Sequence, residues 1–357
     1  MYSLTPGYRV PAIQRGLSPA EVVLTKTNAG AGAVILATAM LQQPPVWAFG
    51  IVAGIAGLFN VAPGRRSIAR WAGVGVRYVR ERTTPALDTS AGTTRTWTLY
   101  PYHGTMQDPY LRAEFHEAFA RALSFAAGQS RNVGIQVHVA HHATVGDYTE
   151  HAQTLSVHIP KGLVGYPERV LGTIEAEFAE LGELDEVASE PVPAVTERSA
   201  SWVAFEDGRY AATARITSWP AETEGDLMPK LLLGNKESDR SLAVLYRPLP
   251  AAQSRRSVKW QNAASGAWST DRYKQEANAA ASDNARDALV QGASMVDIDA
   301  YLTVWGESPD EVMQAQWDID LVADRHRISR DWLTGQQHRA HVMTTPHGAS
   351  TRKGAIL

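Results

Sequence analysis

The side chains best suited to bond-making chemistry in this chain are histidines. His138, His141 and His142 fall within five positions, His151 and His158 follow shortly after, and His338, His341 and His347 lie near the end. Neutral imidazole is a common zinc ligand, and a catalytic zinc needs three protein ligands plus an open position. The first cluster sits in a stretch that alternates through Val133, Ile135, Val137 and Val139, the period of a strand, in which successive side chains point to opposite faces. His138 and His142 therefore share a face while His141 points away, and three-ligand binding from this run requires a distortion. Surface or loop histidines are the simpler reading, so no metal ligand is assigned. With no cysteine in the chain, thiolate sites and disulfide frameworks are excluded.

Other catalytic signatures are missing from the sequence. There is no Gly-x-x-x-x-Gly-Lys-Ser/Thr loop, the backbone cradle with which P-loop enzymes hold phosphates, so the chain is not a self-sufficient ATPase of that type. Neither a Gly-x-Ser-x-Gly elbow nor a His-Glu-x-x-His helix occurs. No catalytic or cofactor-binding residue is assigned, and the expectation is a chain that is not an enzyme. A formal net charge of -3 over 357 residues gives no global attraction to nucleic acid.

The elements that position these residues alternate between strands and helices. Thr94 to Tyr100 reads as a strand; Asp108 as N-cap and Pro109 at the first helical position open a helix through Leu111, Phe115, Phe119 and Leu123. Asn132 to Ala140 and Thr154 to Ile159 read as strands, and a helix from Pro167 runs through Val170, Leu171, Ile174, Phe178 and Leu181. The acidic, proline-marked run from Glu183 to Pro193 is the candidate linker. Beyond it, Trp202 to Phe205 and Arg209 to Trp219 flank Asp207-Gly208, a hairpin signal, and Ser241 to Arg247 is a further strand. A polar, alanine-rich helix over Asp271 to Gly292 offers Arg272, Lys274 and Arg286 as a partner-facing surface, with a solvated face as the equal alternative. Val296 to Trp305 reads as a strand, Ser308 to Glu311 as a capping box, then a segment Ile328 to Leu333 and a helix from Gly335 to Met343.

The N-terminal fifth has a different character. Between Lys26 and Arg65 there is no ionisable side chain, and Pro44-Pro45 divides the interval into two apolar stretches, each just long enough for a bilayer crossing of roughly 17 to 25 residues. The reading is a membrane hairpin whose anchor residues include Val34, Leu36, Leu41, Trp47, Ile51, Ile55 and Phe59; a buried core hairpin is the alternative for the same stretch. Arg65, Arg66, Arg70 and Arg77 follow it and place both termini on the cytoplasmic side of a plasma membrane, able to hold anionic headgroups. The expected organisation is a cytoplasmic tail over 1–26, a hairpin over 27–63, a basic segment over 64–82, a first unit over 83–190 and a second over 196–348. In fold class this is a membrane-anchored α/β (α+β) protein, a transmembrane helical hairpin followed by two cytoplasmic α/β units, the second a ferredoxin-like split βαβ.

The second unit also carries a family resemblance. Ile216-Thr217-Ser218-Trp219-Pro220, Leu231-Leu232-Leu233-Gly234, Ser241 to Pro250, Gln291-Gly292, Thr303-Val304-Trp305-Gly306 and Trp332 to Ala340 resemble an actinobacterial PrgI-like family found with conjugative type IV secretion genes. In that family a two-helix anchor precedes a region similar to the N-terminal, non-motor domain of the secretion assembly ATPases. The likeness covers Val203 to Gly348; where relatives have a Leu-Pro-rich exit, this chain has Met343-Thr344-Thr345-Pro346-His347-Gly348. It implies an oligomeric inner-membrane scaffold that recruits a separately encoded ATPase alongside other membrane subunits. A membrane component of a type VII system and a membrane-bound enzyme without a readable motif are the alternatives.

Overall fold

A computed structural model describes residues 2–3, 54, 71–72, 74–76, 92–188 apart from 106, 133 and 147–148, 194–255 apart from 221, 224–226 and 234–237, 290, and 293–345. The chain divides into two compact units, one of residues 1–6, 85–333 and 337–357, the other of residues 7–84 and 334–336. Of the second unit only short helical pieces at 54, 71–72 and 74–76, together with residues 334–336, are described.

The first unit begins with β1 (Tyr2–Ser3) and then runs β2 (Gly92–Pro101), α1 (Pro109–Gly128), β3 (Gln136–Thr144), β4 (Glu150–Pro160), α2 (Pro167–Phe178), β5 (Gly182–Glu186), β6 (Val195–Arg198), β7 (Val203–Phe205) and β8 (Tyr210–Ser218). It continues through β9 (Glu222–Thr223), α3 (Leu227–Leu233), β10 (Arg240–Pro248), β11 (Val296–Gly306), α4 (Pro309–Arg325), β12 (Ser329–Trp332), α5 (Gln337–Ala340) and a 3-10 turn at His341–Thr344. β1 pairs with β9 alone. The other strands form one antiparallel sheet in the order β5-β2-β4-β3-β10-β11-β8-β7-β6, with β12 beside β8. β8 has two partners on one edge: its start takes β7 and its end takes β12.

Two halves are legible in this order. β2-α1-β3-β4-α2-β5 and β8-α3-β10-β11-α4-β12 each run strand-helix-strand-strand-helix-strand, and each places its fourth strand beside its first. They join where β3 meets β10 in seven antiparallel pairs, from Arg240 opposite Ala143 to Tyr246 opposite Val137. Each half thus covers the other's edge, which removes two rows of unpaired backbone groups that could otherwise aggregate. α1 to α4 share one face. Leu171, Ile174 and Phe178 of α2 and Ala122 and Leu123 of α1 bury Trp97, Val137, Leu155 and Val157, while Val312, Ala315 and Ile319 of α4 and Leu231 of α3 bury Leu242, Ala300, Leu302 and Val304. Each large apolar side chain so buried contributes about 1.5–3 kcal/mol.

Local chemistry sets the helix ends. Asp108 accepts from the Tyr110 amide at 2.7 Å with Pro109 at the first position, as the sequence predicts. Ser308 accepts from the Glu311 amide at 3.3 Å, and the Glu311 carboxylate reaches back to the Glu307 amide at 2.9 Å, one residue upstream of the cap. α4 closes with the Ile328 and Arg327 amides donating to the Ala323 and Asp324 carbonyls, Arg327 standing at φ 59° where glycine is usual.

A repeated clamp holds the second helix of each half to the sheet. In the first, Arg95 and the Trp97 indole reach Glu175 of α2 at 2.9 and 3.2 Å. In the second, Arg330 and the Trp332 indole reach Asp320 of α4 at 2.5 and 3.0 Å. Arg-x-Trp on a strand and a carboxylate on the helix recur in both.

Several expectations are corrected. A membrane-anchored protein with two separate α/β units is not what the described residues form: they build an α+β unit around a single large antiparallel sheet. A multi-pass plasma-membrane protein is likewise unsupported, because no helix among the described residues is long and apolar enough to cross a membrane. α1 has the length, 20 residues, but carries Arg112, Glu114, Glu117 and Arg121. The hairpin expected over 27–63 lies outside the described residues, as do its anchor residues, the arginines at 65, 66, 70 and 77, and the polar helix with Arg272, Lys274 and Arg286. The run taken for a linker opens as β5, where Leu184 pairs with Leu99 of β2, so its acidic residues edge the sheet.

Candidate functional site

The sheet face turned away from α1–α4 is polar and largely buried. In the second half it carries Thr213 and Arg215 of β8, Ser241 and Arg247 of β10, and Asp297, Asp299 and Thr303 of β11, all at alternate positions. Asp299, buried, takes Arg215 on one carboxylate oxygen and Arg247 on the other, and Arg247 also reaches Asp297 at 2.9 Å. Removing two guanidinium groups and a carboxylate from water is costly, and the bidentate arrangement offsets it. Gln337 of α5 bridges the Thr213 backbone, accepting from its amide at 2.7 Å and donating to its carbonyl at 3.1 Å, while hydroxyls of Thr213, Thr303 and Thr344 form a chain at 2.8 and 2.7 Å. These bonds satisfy groups that burial would otherwise leave unpaired.

The histidines are dispersed over this framework. His138 bonds the Met343 carbonyl at 2.9 Å, and His142 on the same face reaches the Ser241 hydroxyl at 2.9 Å across the β3–β10 seam. His141 lies on the opposite face with its Nδ1 at 3.1 Å from Nε2 of His151, the rings stacked at 5.3 Å. His158 bonds Thr94 at 2.7 Å. Burial holds His141 at about 3, with the neighbouring His151 and His142 adding to the depression; it holds His341 at about 4. His142, His151 and His158 are lowered by burial as well. His338 is buried, and His347 lies outside the described residues. Among the described residues no group of three or more His, Asp or Glu side chains is placed to hold a metal.

One contact has the form of a nucleophile and its base. Trp305 can only donate, and its indole reaches the Ser241 oxygen at 3.2 Å, so the serine proton is directed to Nδ1 of His142. Catalysis also needs room for a substrate. Ser241 is buried, and two open surface clefts of about 470 and 340 Å³, lined by segments 129–132 with 163–170 and 92–93 with 159–167, do not include Ser241 or His142. The Ser241–His142 contact joins β3 to β10 at the seam between the halves.

An exposed apolar stripe runs along α4. Met313, Trp317 and Leu321 are 57, 74 and 67 % exposed and stand at i, i+4 and i+8, one helical stripe. Val312, Ala315, Ile319 and Ala323 of the same helix face the core, so α4 is apolar on two sides. The 3.6-residue period separates these two faces in the residues themselves, a signal that no expectation from the sequence used.

No protein-family model matches the chain, and no curated protein matches it.

Proposed function

We propose that the chain is a non-catalytic scaffold of a type IV secretion or conjugation apparatus that recruits a separately encoded ATPase. The observation that carries this reading is where the segments resembling the assembly-ATPase N-terminal domain fall. Ile216 to Ser218 end β8, Leu231 to Leu233 end α3, Ser241 to Pro248 are most of β10, Thr303 to Gly306 end β11, Trp332 ends β12, and Gln337 to Ala340 are α5. These segments all belong to one half of the sheet, the half that the resemblance covers. Their side chains bond each other, as the Trp305 indole does with the Ser241 hydroxyl at 3.2 Å, and none of them lines the open surface clefts at 129–132 with 163–170 or at 92–93 with 159–167. An outward apolar stripe on α4 of the same half fits a protein whose work is binding.

The test is affinity purification of the tagged full chain from its native cells, with copurifying chains identified by mass spectrometry. A conjugation-type ATPase at near-stoichiometric yield is the expected result. An ESX-type ATPase would transfer the chain to a type VII system, and turnover of a small substrate that is lost on changing Ser241 to alanine would make it an enzyme.

A further inference from the structure

We propose that the outward stripe of α4, Met313, Trp317 and Leu321, docks an amphipathic helix of a partner protein whose apolar residues recur at i and i+4 and whose flanks carry Lys or Arg. The area is the first reason: three large apolar side chains, each more than half exposed, form a continuous strip along a well-capped helix. Charge selects the occupant. α4 contains Asp310, Glu311, Asp318, Asp320 and Asp324 against the single base Arg325. At 100° per residue, Asp310 and Asp324 fall on the stripe's own face, at its two ends. Arg330 reaches Asp320 and Asp324 from the sheet side, and no ion pair among the described residues reaches Asp310 or Asp318. A basic helix would meet these carboxylates on both sides of the apolar seam.

The same charges argue against other occupants. Two copies packed antiparallel about Trp317 would bring Asp310 of each against Asp324 of the other, like charge on like. An anionic lipid surface would be repelled for the same reason. The surface is available whichever machine the protein serves, so the inference stands apart from the secretion reading.

The experiment places a photo-crosslinking amino acid at Met313 or Leu321 of the full chain in its native cells and sequences the crosslinked peptides. In parallel, the purified full chain is titrated with two labelled 18-residue amphipathic helices, identical but for Lys or Glu on their flanks. Expected are crosslinks confined to one basic amphipathic segment of another protein. The Lys helix should bind at least tenfold tighter than the Glu helix, and that advantage should be lost in Asp310→Lys/Asp318→Lys. Trp317→Ser should weaken the Lys helix at least tenfold, while Tyr166→Ser, an exposed aromatic elsewhere, leaves it unchanged. Because these side chains are exposed, the variants should fold, which circular dichroism checks. Crosslinks between copies of this chain, to lipid, to an acidic segment or to nothing would overturn the proposal. Equal binding of the two helices would do the same.

Discussion

The two halves of the sheet share an element order and differ in what their second helices present to the outside. α2 turns Glu168, Arg169, Gly172, Thr173 and Ala176 outward, and α4 turns Met313, Trp317 and Leu321 outward. Both helices are clamped the same way, by an arginine and an indole on one carboxylate, and both bury an apolar face on the sheet. The fold needs only the inner face and the clamp. An apolar outer face on one helix and a polar one on the other therefore marks a difference in use, since nothing in the packing among the described residues asks for it. The polar sheet face differs in the same direction. In the first half it is joined by neutral hydroxyls, Thr96 to Ser156 at 3.0 Å, and in the second by buried ions around Asp299.

That contrast can be broken most severely at Asp299. Changing it to asparagine leaves two guanidinium groups facing each other without a buried anion and should cost about 3–5 kcal/mol. Changing Thr96 and Ser156 together to valine and alanine should cost less than about 1.5 kcal/mol, since both partners of a neutral bond are removed at once. Urea denaturation of the two variants compares the halves directly, and equal losses would show that the ion cluster has no special weight.

Acid is the next lever. His141 near the seam and His341 behind the second half are held neutral by burial, at about 3 and about 4. The unfolded chain takes up protons below about pH 6.5 while these sites do not, so stability is full above 6.5 and is lost as pH falls toward the folded values. At pH 5 each histidine should cost about 2 kcal/mol. Denaturation midpoints measured from pH 7.5 to 5 should fall for the native chain and fall less for His341→Leu. A flat profile would remove the buried-neutral assignment.

The clamps give the smallest effect. Arg330 is 6 % exposed and Arg95 25 % exposed, so solvent screens the first-half clamp more. Asp320→Asn should cost about 2 kcal/mol and Glu175→Gln about 1 kcal/mol. The reverse ranking would mean that the second-half clamp is not the tighter one.

Much of the element pattern was legible in the residues because it is local. Asp108 and Ser308 start helices by accepting from the Tyr110 and Glu311 amides, each with proline at the next position, Asp207-Gly208 turns a hairpin with Gly208 at φ 82°, and the strands from Thr94, Thr154, Ser241 and Val296 alternate with period two. The acidic run after Leu181 misleads for a physical reason. A short edge strand buries little, so its composition matches that of a loop, and its role appears only through pairing with β2. The histidines depart from the reading in another way: expected on the surface or in loops, His138, His141, His142, His151 and His158 lie in β3 and β4, His138 and His141 buried, and four of the five are bonded to Thr94, Ser241, His151 and the Met343 carbonyl.

What the chain carries in its own order of residues is therefore the set of elements, their caps and turns, and the absence of the nucleotide and hydrolase motifs. Those follow from interactions over a few positions. The joining of two halves through β3 and β10, the split edge of β8, the Asp299 ion cluster and the outward face of α4 were settled only in three dimensions. Each depends on which distant backbone edge or side chain arrives alongside, and hydrophobic period and local propensity do not encode that choice.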